Sequence, residues 1–210
     1  MIISYSHQFI FIHIYKTAGS SIRSVLEPYM HDPERMFLNR AFRKLHLPIQ
    51  VPLHKHKSFK QHISARDLKK QLPAKIYDPF FKFAFVRNPW DWQVSGYHFM
   101  LEEKTHFQHE LIKSMKNFDE FIEWRVFKDK HLQKDFITND QGNLIVDFVG
   151  RYETLAEDFE QICRKLHLDL RLPHRNKSAH DDYRSYYNPR TVDLIREHFR
   201  EDIELFGYDF

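Results

Sequence analysis

The chain contains a single cysteine, Cys163, among its 210 residues. It therefore cannot form an intramolecular disulfide or a metal cluster of paired cysteines, and we expect a reducing compartment. Basic residues outnumber acidic ones by only 32 to 29, which gives a formal net charge of +3. A field that weak does not predict non-specific nucleic-acid binding, so an anion site in this protein has to be built locally.

Long apolar runs are also missing from the sequence. Near the start, residues 9–14 are interrupted by His13 and are too few to span a bilayer. No secretory signal is legible before them. We therefore expect a soluble, cytoplasmic protein and leave peripheral membrane contact and the oligomeric state open. The 42% hydrophobic content predicts a folded core, and the length predicts one domain, residues 1–210.

Three segments show the same order of an apolar strand, a polar loop and a helix with apolar residues at helical spacing. Strands that alternate with helices predict an α/β fold with a central parallel sheet flanked by helices. The predicted units are strand 9–14 with helix 20–29, strand 81–86 with helix 94–101, and strand 144–149 with helix 155–168. A last helix is expected over about 191–205, and we interpret the helical pattern of 100–140 as an acceptor-facing insertion in the same domain.

The first loop, residues 16–21, leads from a buried strand into a helix. Helix N-termini favour anions because their first N–H groups lack intrahelical partners and carry the positive end of the helix dipole. Gly19 permits a close approach to the backbone, and Lys16 adds a mobile positive charge. Hydroxyl donors are supplied by Thr17, Ser20 and Ser21. The loop predicts an anion site, with an ordinary strand–helix turn as the structural alternative.

The second loop begins at Arg87, directly after the second predicted strand. A buried arginine is costly unless it meets an anion or a carboxylate. Asn88 is expected to cap the following helix and Pro89 to occupy its first position. Ser95 lies four residues after Asp91 and so on the same helical face. We expect Arg87 to bind an anion, and pairing with Asp91 is the structural alternative.

Both loops resemble those of carbohydrate-type sulfotransferases, the group that includes heparan sulfate 2-O-, chondroitin and bacterial sulfotransferases. FIHIYKTAGSSI, ending at Ile22, resembles their 5′-phosphosulfate loop, and FAFVRNPWDWQVSGY (83–97) resembles their 3′-phosphate loop. Two further stretches, 147–163 and 172–189, fit in the expected order. The resemblance implies a P-loop-like three-layer fold. It also implies transfer of a sulfuryl group from 3′-phosphoadenosine 5′-phosphosulfate (PAPS) to a carbohydrate or glycolipid hydroxyl, without a metal.

The resemblance also implies roles for particular residues. Arg87 and Ser95 correspond to the family's grip on the 3′-phosphate. Trp92 departs from the pattern, because the wider family often has a basic residue there. Around the 5′-phosphosulfate stand Lys16, Thr17, Ala18, Gly19, Ser20 and Ser21, and the cofactor site is closed by Asn176, Lys177 and Ser178.

Sulfuryl transfer to an alcohol needs a base, and histidine suits this role because its ordinary pKa is about 6.5. Of the 15 histidines, His62 is our first choice, because QHISARDL (61–68) resembles a family segment upstream of the second loop. His56, in the pair His54-x-His56, is the second choice. Lys16 is predicted to act on the leaving oxygen.

Two other functions compete with this interpretation. A magnesium-dependent P-loop kinase or nucleotidase would use the first loop as a degenerate P-loop and Asp147 as the acid that holds the metal. A non-catalytic module that binds anionic glycans is the other alternative. His54 with His56, or His106 with His109, could supply two zinc ligands, but no third ligand stands at a recognisable spacing, so we do not predict a metal site.

Two further sets of residues are expected to have structural explanations. Cys163 shares a helical face with apolar residues, which predicts core packing. Tyrosines near the C-terminus are predicted either to stack on a sugar or to pack under a loop, and the sequence does not separate the two. They are Tyr183, Tyr186 and Tyr187.

Overall fold

The structure is a computed structural model that describes residues 1–30, 33–49, 59–173 and 181–210. Its residues group into two compact units. The first unit comprises Met1–Phe85 and Phe136–Pro173, and the second comprises Val86–Asp135 with the described residues 181–210.

A four-stranded sheet with the order β1-β2-β3-β4 organises the fold. Its strands are β1 (Ile2–Ser4), β2 (Phe9–Ile12), β3 (Phe81–Val86) and β4 (Phe148–Arg151). β2 and β3 are parallel, with pairing that runs from Phe9↔Phe81 to Ile12↔Ala84, whereas β1 is antiparallel to β2. The α/β class with a central sheet is thus confirmed. The sheet is mixed rather than purely parallel, because β1, which the sequence did not predict, adds an antiparallel edge.

Ten α-helices and three short 3₁₀-helices are found in the described residues. The 3₁₀-helices are Glu27–Met30, Lys134–Phe136 and Tyr183–Tyr186. The α-helices are α1 (Gly19–Leu26), α2 (Pro33–Lys44), α3 (Ala65–Gln71), α4 (Ala74–Tyr77), α5 (Pro89–Glu102), α6 (His109–Lys113), α7 (Phe118–Phe127), α8 (Leu155–Leu166), α9 (Pro189–His198) and α10 (Arg200–Phe206).

The observed boundaries shift by two to four residues at several predicted ends, for example at β2, which ends at Ile12, and they differ more clearly at three other places. The strand predicted over 144–149 begins only at Phe148, and its first apolar residue, Leu144, is exposed and forms an isolated bridge to Thr138. The last helix is divided into α9 and α10 at Phe199. α5 begins at Pro89, as the cap residues Asn88 and Pro89 predict, and therefore five residues before the apolar helical pattern of 94–101.

The core of the first unit lies between the sheet and helices α1 and α8. The rings of Phe9 and Phe11 on β2 contact Phe83 on β3, at centroid distances of 5.9 and 5.3 Å. Gly150 on β4 lies so close to the ring of Phe85 that a Cβ there would fall 2.5 Å from it. Cys163 is buried in this core, as predicted. This packing fixes the strand end from which the first loop departs.

The core of the second unit is built from α5, α7 and α9. Trp92 on α5 is buried, its ring contacts Phe199 edge to face, and the guanidinium of Arg125 on α7 lies 5.8 Å from it. The position at which the sequence departs from the family pattern therefore holds a core residue. Within the ranges that the structure describes, none of the helices has the length and apolarity needed to cross a membrane.

Candidate active site

The first loop has a tightly wound backbone. Lys16 and Ala18 both adopt the left-handed conformation, with φ values of 62° and 63°. This conformation costs a residue other than glycine roughly 1–3 kcal/mol, and it persists only where the surroundings enforce it. Thr17, between them, is fully buried and its Oγ1 donates a hydrogen bond to the carbonyl of Ile14 at 2.8 Å. The Thr17 hydroxyl proton is thus used within the loop and not for a ligand in this conformation.

Helix α1 starts from this loop. Ala18 occupies the N-cap position, and its carbonyl accepts hydrogen bonds from the N–H groups of Ser21 and Ile22 at 3.0 and 3.1 Å. Alanine offers no side-chain oxygen to the remaining N–H groups of the first turn. Ser20 is exposed at this helix start, and Lys16 is half-buried. The loop therefore combines a helix N-terminus with a lysine, as an anion site requires.

Gly19 makes room for the ring of His13. A Cβ on residue 19 would lie 1.6 Å from the Nε2 atom of His13. The close approach that Gly19 permits is therefore made by a side chain of the protein itself. His13 is not among the predicted site residues, although a histidine that interrupts an apolar strand is a signal for it in the sequence.

His13 is neutral at any working pH. Its side chain is buried, and this burial, together with repulsion from the N-terminal ammonium, His62 and Arg23, lowers its pKa to about 3. An uncharged imidazole is thus fixed between the first loop and His62. The ring centroids of His13 and His62 are 4.5 Å apart.

His62, the predicted base, is held in one tautomer. Its Nδ1 lies 2.8 Å from the backbone carbonyl oxygen of His13. A carbonyl only accepts hydrogen bonds, so Nδ1 carries the proton and Nε2 carries a lone pair. His62 is exposed as a residue, but its ring is partly buried, and this burial is the main cause that lowers its pKa. The hydrogen bond to the His13 carbonyl raises the pKa, and repulsion from the N-terminus lowers it further. His62 is therefore a neutral imidazole with Nε2 as the basic nitrogen.

In the second unit, Arg87 is buried and pairs with Asp91. Its Nε and Nη2 atoms donate to the two carboxylate oxygens of Asp91 at 2.7 and 2.9 Å. Asn88 caps α5 by accepting the N–H of Trp90 at 3.0 Å, and Pro89 is its first residue, as predicted. Ser95 lies one turn after Asp91 and is buried. The structural alternative for Arg87 is thus observed, and its anion-binding role stays a prediction.

The backbone of Arg87 is held by a buried glutamine. Its N–H donates to Oε1 of Gln133 at 2.9 Å, and its carbonyl accepts Nε2 of Gln133 at 2.8 Å. Asp202 accepts in turn the backbone N–H groups of Gln133 and Lys134, at 2.7 and 2.9 Å. Burial raises the pKa of Asp202 to about 7. No local sequence pattern indicates Gln133 or Asp202, because their partners are 46 and 69 residues away.

Comparison with known proteins decides the family. A model described as "Sulfotransferase family" matches residues 1–209. The chain belongs to this sulfotransferase family. It is therefore an enzyme of sulfuryl transfer, as the two loops predicted.

Two individual proteins resemble this sulfotransferase. An uncharacterized protein of Archaeoglobus fulgidus is 32% identical over 120 residues, which cover 56% of this chain and 93% of that protein. The crystal structure of mouse sulfotransferase SULT7A1 complexed with PAP matches with a TM-score of 0.55 at 16% identity, over 96% of this chain and 86% of that one. At this identity the likeness concerns the fold, and it confirms the P-loop-like α/β class.

Asp147 is not placed as the magnesium-binding acid of a kinase. Its Oδ2 accepts the N–H of Lys82 at 2.7 Å, lies 3.0 Å from the Lys82 ammonium, and its own N–H donates to the Lys82 carbonyl. Lys82 is the second residue of β3, so Asp147 lies at the amino end of that strand. The first loop follows the carboxyl end of β2, which is parallel to β3. The kinase interpretation of Asp147 is therefore wrong for this sulfotransferase.

Other predicted site residues divide into two groups. His106 Nδ1 accepts the N–H of Gln108, and His109 Nδ1 bonds to the carbonyl of Met100, so these rings serve local structure. Across the described ranges, no group of three or more His, Cys, Asp or Glu is arranged to hold a metal ion. The other predicted residues lie outside the described residues; they are His54, His56, Asn176, Lys177 and Ser178.

The C-terminal tyrosines all make packing contacts in the second unit. The hydroxyl of Tyr187 donates to the carbonyl of Trp90 at 2.8 Å. Tyr186 bonds through its hydroxyl to Nε2 of His98 at 2.9 Å, and the ring of Tyr183 lies against Phe210. These contacts favour the packing alternative over sugar stacking.

Proposed function

We propose that this sulfotransferase moves a sulfuryl group from PAPS to a hydroxyl of a carbohydrate or glycolipid, with His62 as the general base. The observation that carries the proposal is the hydrogen bond from His62 Nδ1 to the His13 carbonyl, which leaves Nε2 as the proton acceptor. PAP, with which the mouse sulfotransferase of similar fold is complexed, is the nucleotide that PAPS leaves behind after transfer. The carbohydrate or glycolipid acceptor rests on the sequence resemblance.

The first loop fits the 5′-phosphosulfate end of the donor. The start of α1 provides N–H groups and the positive end of a helix dipole, and Lys16 provides a full charge. PAPS, when bound, supplies an activated sulfuryl group on a phosphate leaving group. Lys16 then stabilises the negative charge that develops on the leaving oxygen. The proposed contacts are those of Lys16, Thr17, Ala18, Gly19, Ser20 and Ser21.

The second loop is proposed to hold the 3′-phosphate through Arg87 and Ser95. Asp91 and Gln133 fix the side chain and the backbone of Arg87 before any ligand binds. A guanidinium that is already oriented loses less conformational entropy on binding. By the same resemblance, the donor site is closed by Asn176, Lys177 and Ser178.

His62 is suited to take the acceptor proton. Its Nε2 is unprotonated at neutral pH because its pKa is lowered. When Nε2 gains a proton, the His13 carbonyl continues to accept from Nδ1 and stabilises the imidazolium. The His13 ring adds no competing positive charge, since its pKa is about 3.

A labelled transfer assay tests the proposed function. The purified chain is incubated with PAPS that carries a labelled sulfuryl group and with a panel of soluble glycans, lipid-linked sugars and non-sugar alcohols, in EDTA. We expect label in a saccharide hydroxyl. Label only in non-sugar alcohols would refute the carbohydrate acceptor. Magnesium-dependent ATP hydrolysis without any sulfuryl transfer would contradict the whole proposal.

A further inference from the structure

We propose that Gln133 is a positioning residue for donor binding, because it holds the backbone of Arg87 in the orientation that the 3′-phosphate requires. The inference rests on the proposed role of Arg87. Gln133 is fully buried, and its side-chain amide makes two hydrogen bonds to one residue, accepting from the Arg87 N–H and donating to the Arg87 carbonyl. Such a pair of antiparallel bonds is what a neighbouring β-strand would supply.

The need for this pair follows from where Arg87 lies. β3 ends at Val86, and its last pairing with β2 is at Ala84. Arg87 therefore follows the paired part of the strand, yet it is buried, and its N–H and carbonyl must find partners. The amide of Gln133 supplies both. The Gln133 side chain thus makes the two hydrogen bonds to Arg87 that the backbone of a neighbouring strand would otherwise make.

Gln133 is itself held by a buried carboxylate. Asp202 on α10 accepts the N–H groups of Gln133 and Lys134 with its two oxygens, at 2.7 and 2.9 Å. The ammonium of Lys134 in turn lies 2.8 Å from Glu201. Helix α10 thus fixes the peptide that carries Gln133, and the Gln133 side chain fixes Arg87.

The side chain of Arg87 is constrained separately from its backbone. Asp91 fixes the guanidinium plane through two hydrogen bonds, and Asn88 fixes the next residue as the cap of α5. Gln133 sets the peptide from which the side chain departs. A shift of that peptide would move the guanidinium away from its target even with the Asp91 pair intact, and the attraction between opposite charges falls as their distance grows.

The first test is Gln133→Met, which keeps the length of the side chain and removes both hydrogen bonds. We expect the dissociation constant for PAP, measured by calorimetry, to rise about tenfold or more, equivalent to about 1.4 kcal/mol. Gln93→Met is the matched control, since Gln93 is a buried glutamine in the same unit whose Oε1 accepts Nε of Arg125. The control should bind PAP within about twofold of the unaltered protein, on the same affinity scale.

The second test is Gln133→Glu, which decides the question if the methionine variant does not fold. A protonated glutamic acid reproduces the amide pattern, because its carbonyl accepts from the Arg87 N–H and its hydroxyl donates to the Arg87 carbonyl. An ionised glutamate has no hydroxyl proton and so cannot donate to the Arg87 carbonyl. Burial raises the pKa of such a carboxyl, so we expect PAP affinity, relative to the unaltered protein at each pH, to recover as the pH falls from 8 to 5.5.

The charged groups around residue 133 are the same in the unaltered protein and in the Gln133→Glu variant. The charged groups near residue 133 in the second unit include Arg87, Asp91, Lys134, Asp135, Glu201 and Asp202. Because they are unchanged by Gln133→Glu, dividing the two affinities at each pH removes their titration and that of the PAP phosphates to first order.

The outcomes separate the inference from the proposed function. If Arg87→Ala weakens PAP binding but Gln133→Met does not, the positioning role is wrong and the proposed function stands. If Gln133→Glu shows no recovery at low pH, the hydrogen-bond pair is not what positions Arg87, and the inference is also wrong. If Arg87→Ala leaves PAP binding unchanged, the proposed role of Arg87 is wrong, and the inference about Gln133, which rests on it, is wrong as well.

Discussion

The ring of His13 occupies the space in which a Cβ of residue 19 would lie, with Nε2 only 1.6 Å from that position. Gly19 therefore couples the start of α1 to the histidine whose carbonyl holds His62. Gly19 thus contributes to the placement of His62, the proposed base, as well as to the first loop.

Gly19→Ala should destabilise the protein. The added methyl group forces the His13 ring out of its site, and overpacking of a core typically costs about 1–3 kcal/mol of unfolding free energy. Chemical denaturation measures the effect. The control is Gly96→Ala on α5, where the Cβ would meet Met100 Cε at an ordinary 3.6 Å. This change should stabilise the protein by roughly 0.5–1 kcal/mol. Equal stability of the two variants would contradict the packing of His13 on Gly19.

His62→Ala should remove catalysis without removing donor binding. General base catalysis contributes about 10²–10⁴-fold, so kcat for labelled transfer should fall by that factor while the dissociation constant for PAP stays unchanged. His131→Ala is the control, since His131 is an exposed histidine whose partner is Asp129. Full activity of the His62 variant would show that another group takes the proton.

The pH dependence of kcat/KM should reflect the lowered pKa of His62. Its Nε2 accepts a proton only in the neutral imidazole, so the rate falls as the pH drops through the His62 pKa. Because burial lowers that pKa, the acidic limb should lie below the ordinary value of 6.5. An acidic limb that lies above pH 6.5 and persists in every histidine variant would contradict the assignment of His62 as the base.

The sequence predicted those parts of the fold that depend on neighbouring residues. β3 matches the expected 81–86, because four of its six residues are phenylalanine or valine, which favour strands, and a proline-containing turn follows directly. The start of α5 could be predicted because Asn88 caps the helix with its side chain and Pro89 has a backbone conformation suited to the first helical position. β1 has only three residues and pairs with β2. The pairing of so short a strand depends on its neighbour in space, and a local sequence pattern does not predict it.

The candidate site divides in the same way between local and distant residues. The two loops and His62 are predicted from their motifs and their resemblance to a family, and their roles in donor binding and proton transfer stay predictions. The hydrogen bond from His62 to His13 joins residues 49 positions apart, and the one from Arg87 to Gln133 joins residues 46 apart. These partners depend on how distant segments pack, so the sequence indicates candidate site residues but not the groups that orient them.

Asp202→Asn should change how stability depends on pH. Burial raises the folded-state pKa of Asp202 to about 7 from an ordinary 3.8, so the folded protein binds this proton more tightly than the unfolded chain. Its stabilising contribution is fully present below pH 3.8 and is lost as the pH rises through 7. Relative to the variant, the unaltered protein should lose stability between pH 4 and 7, by up to about 1.4 kcal/mol per pH unit. Parallel stability curves would contradict this pKa.

The proposal that Lys16 and Arg87 each contribute to PAPS binding is tested most directly by PAP binding. Calorimetric titration in EDTA should show one site in the unaltered protein. Lys16→Ala and Arg87→Ala should each raise the dissociation constant by about tenfold or more, because each removes a charge that meets a phosphate. Tight PAP binding that survives both substitutions, or no PAP binding by the unaltered protein, would contradict the account.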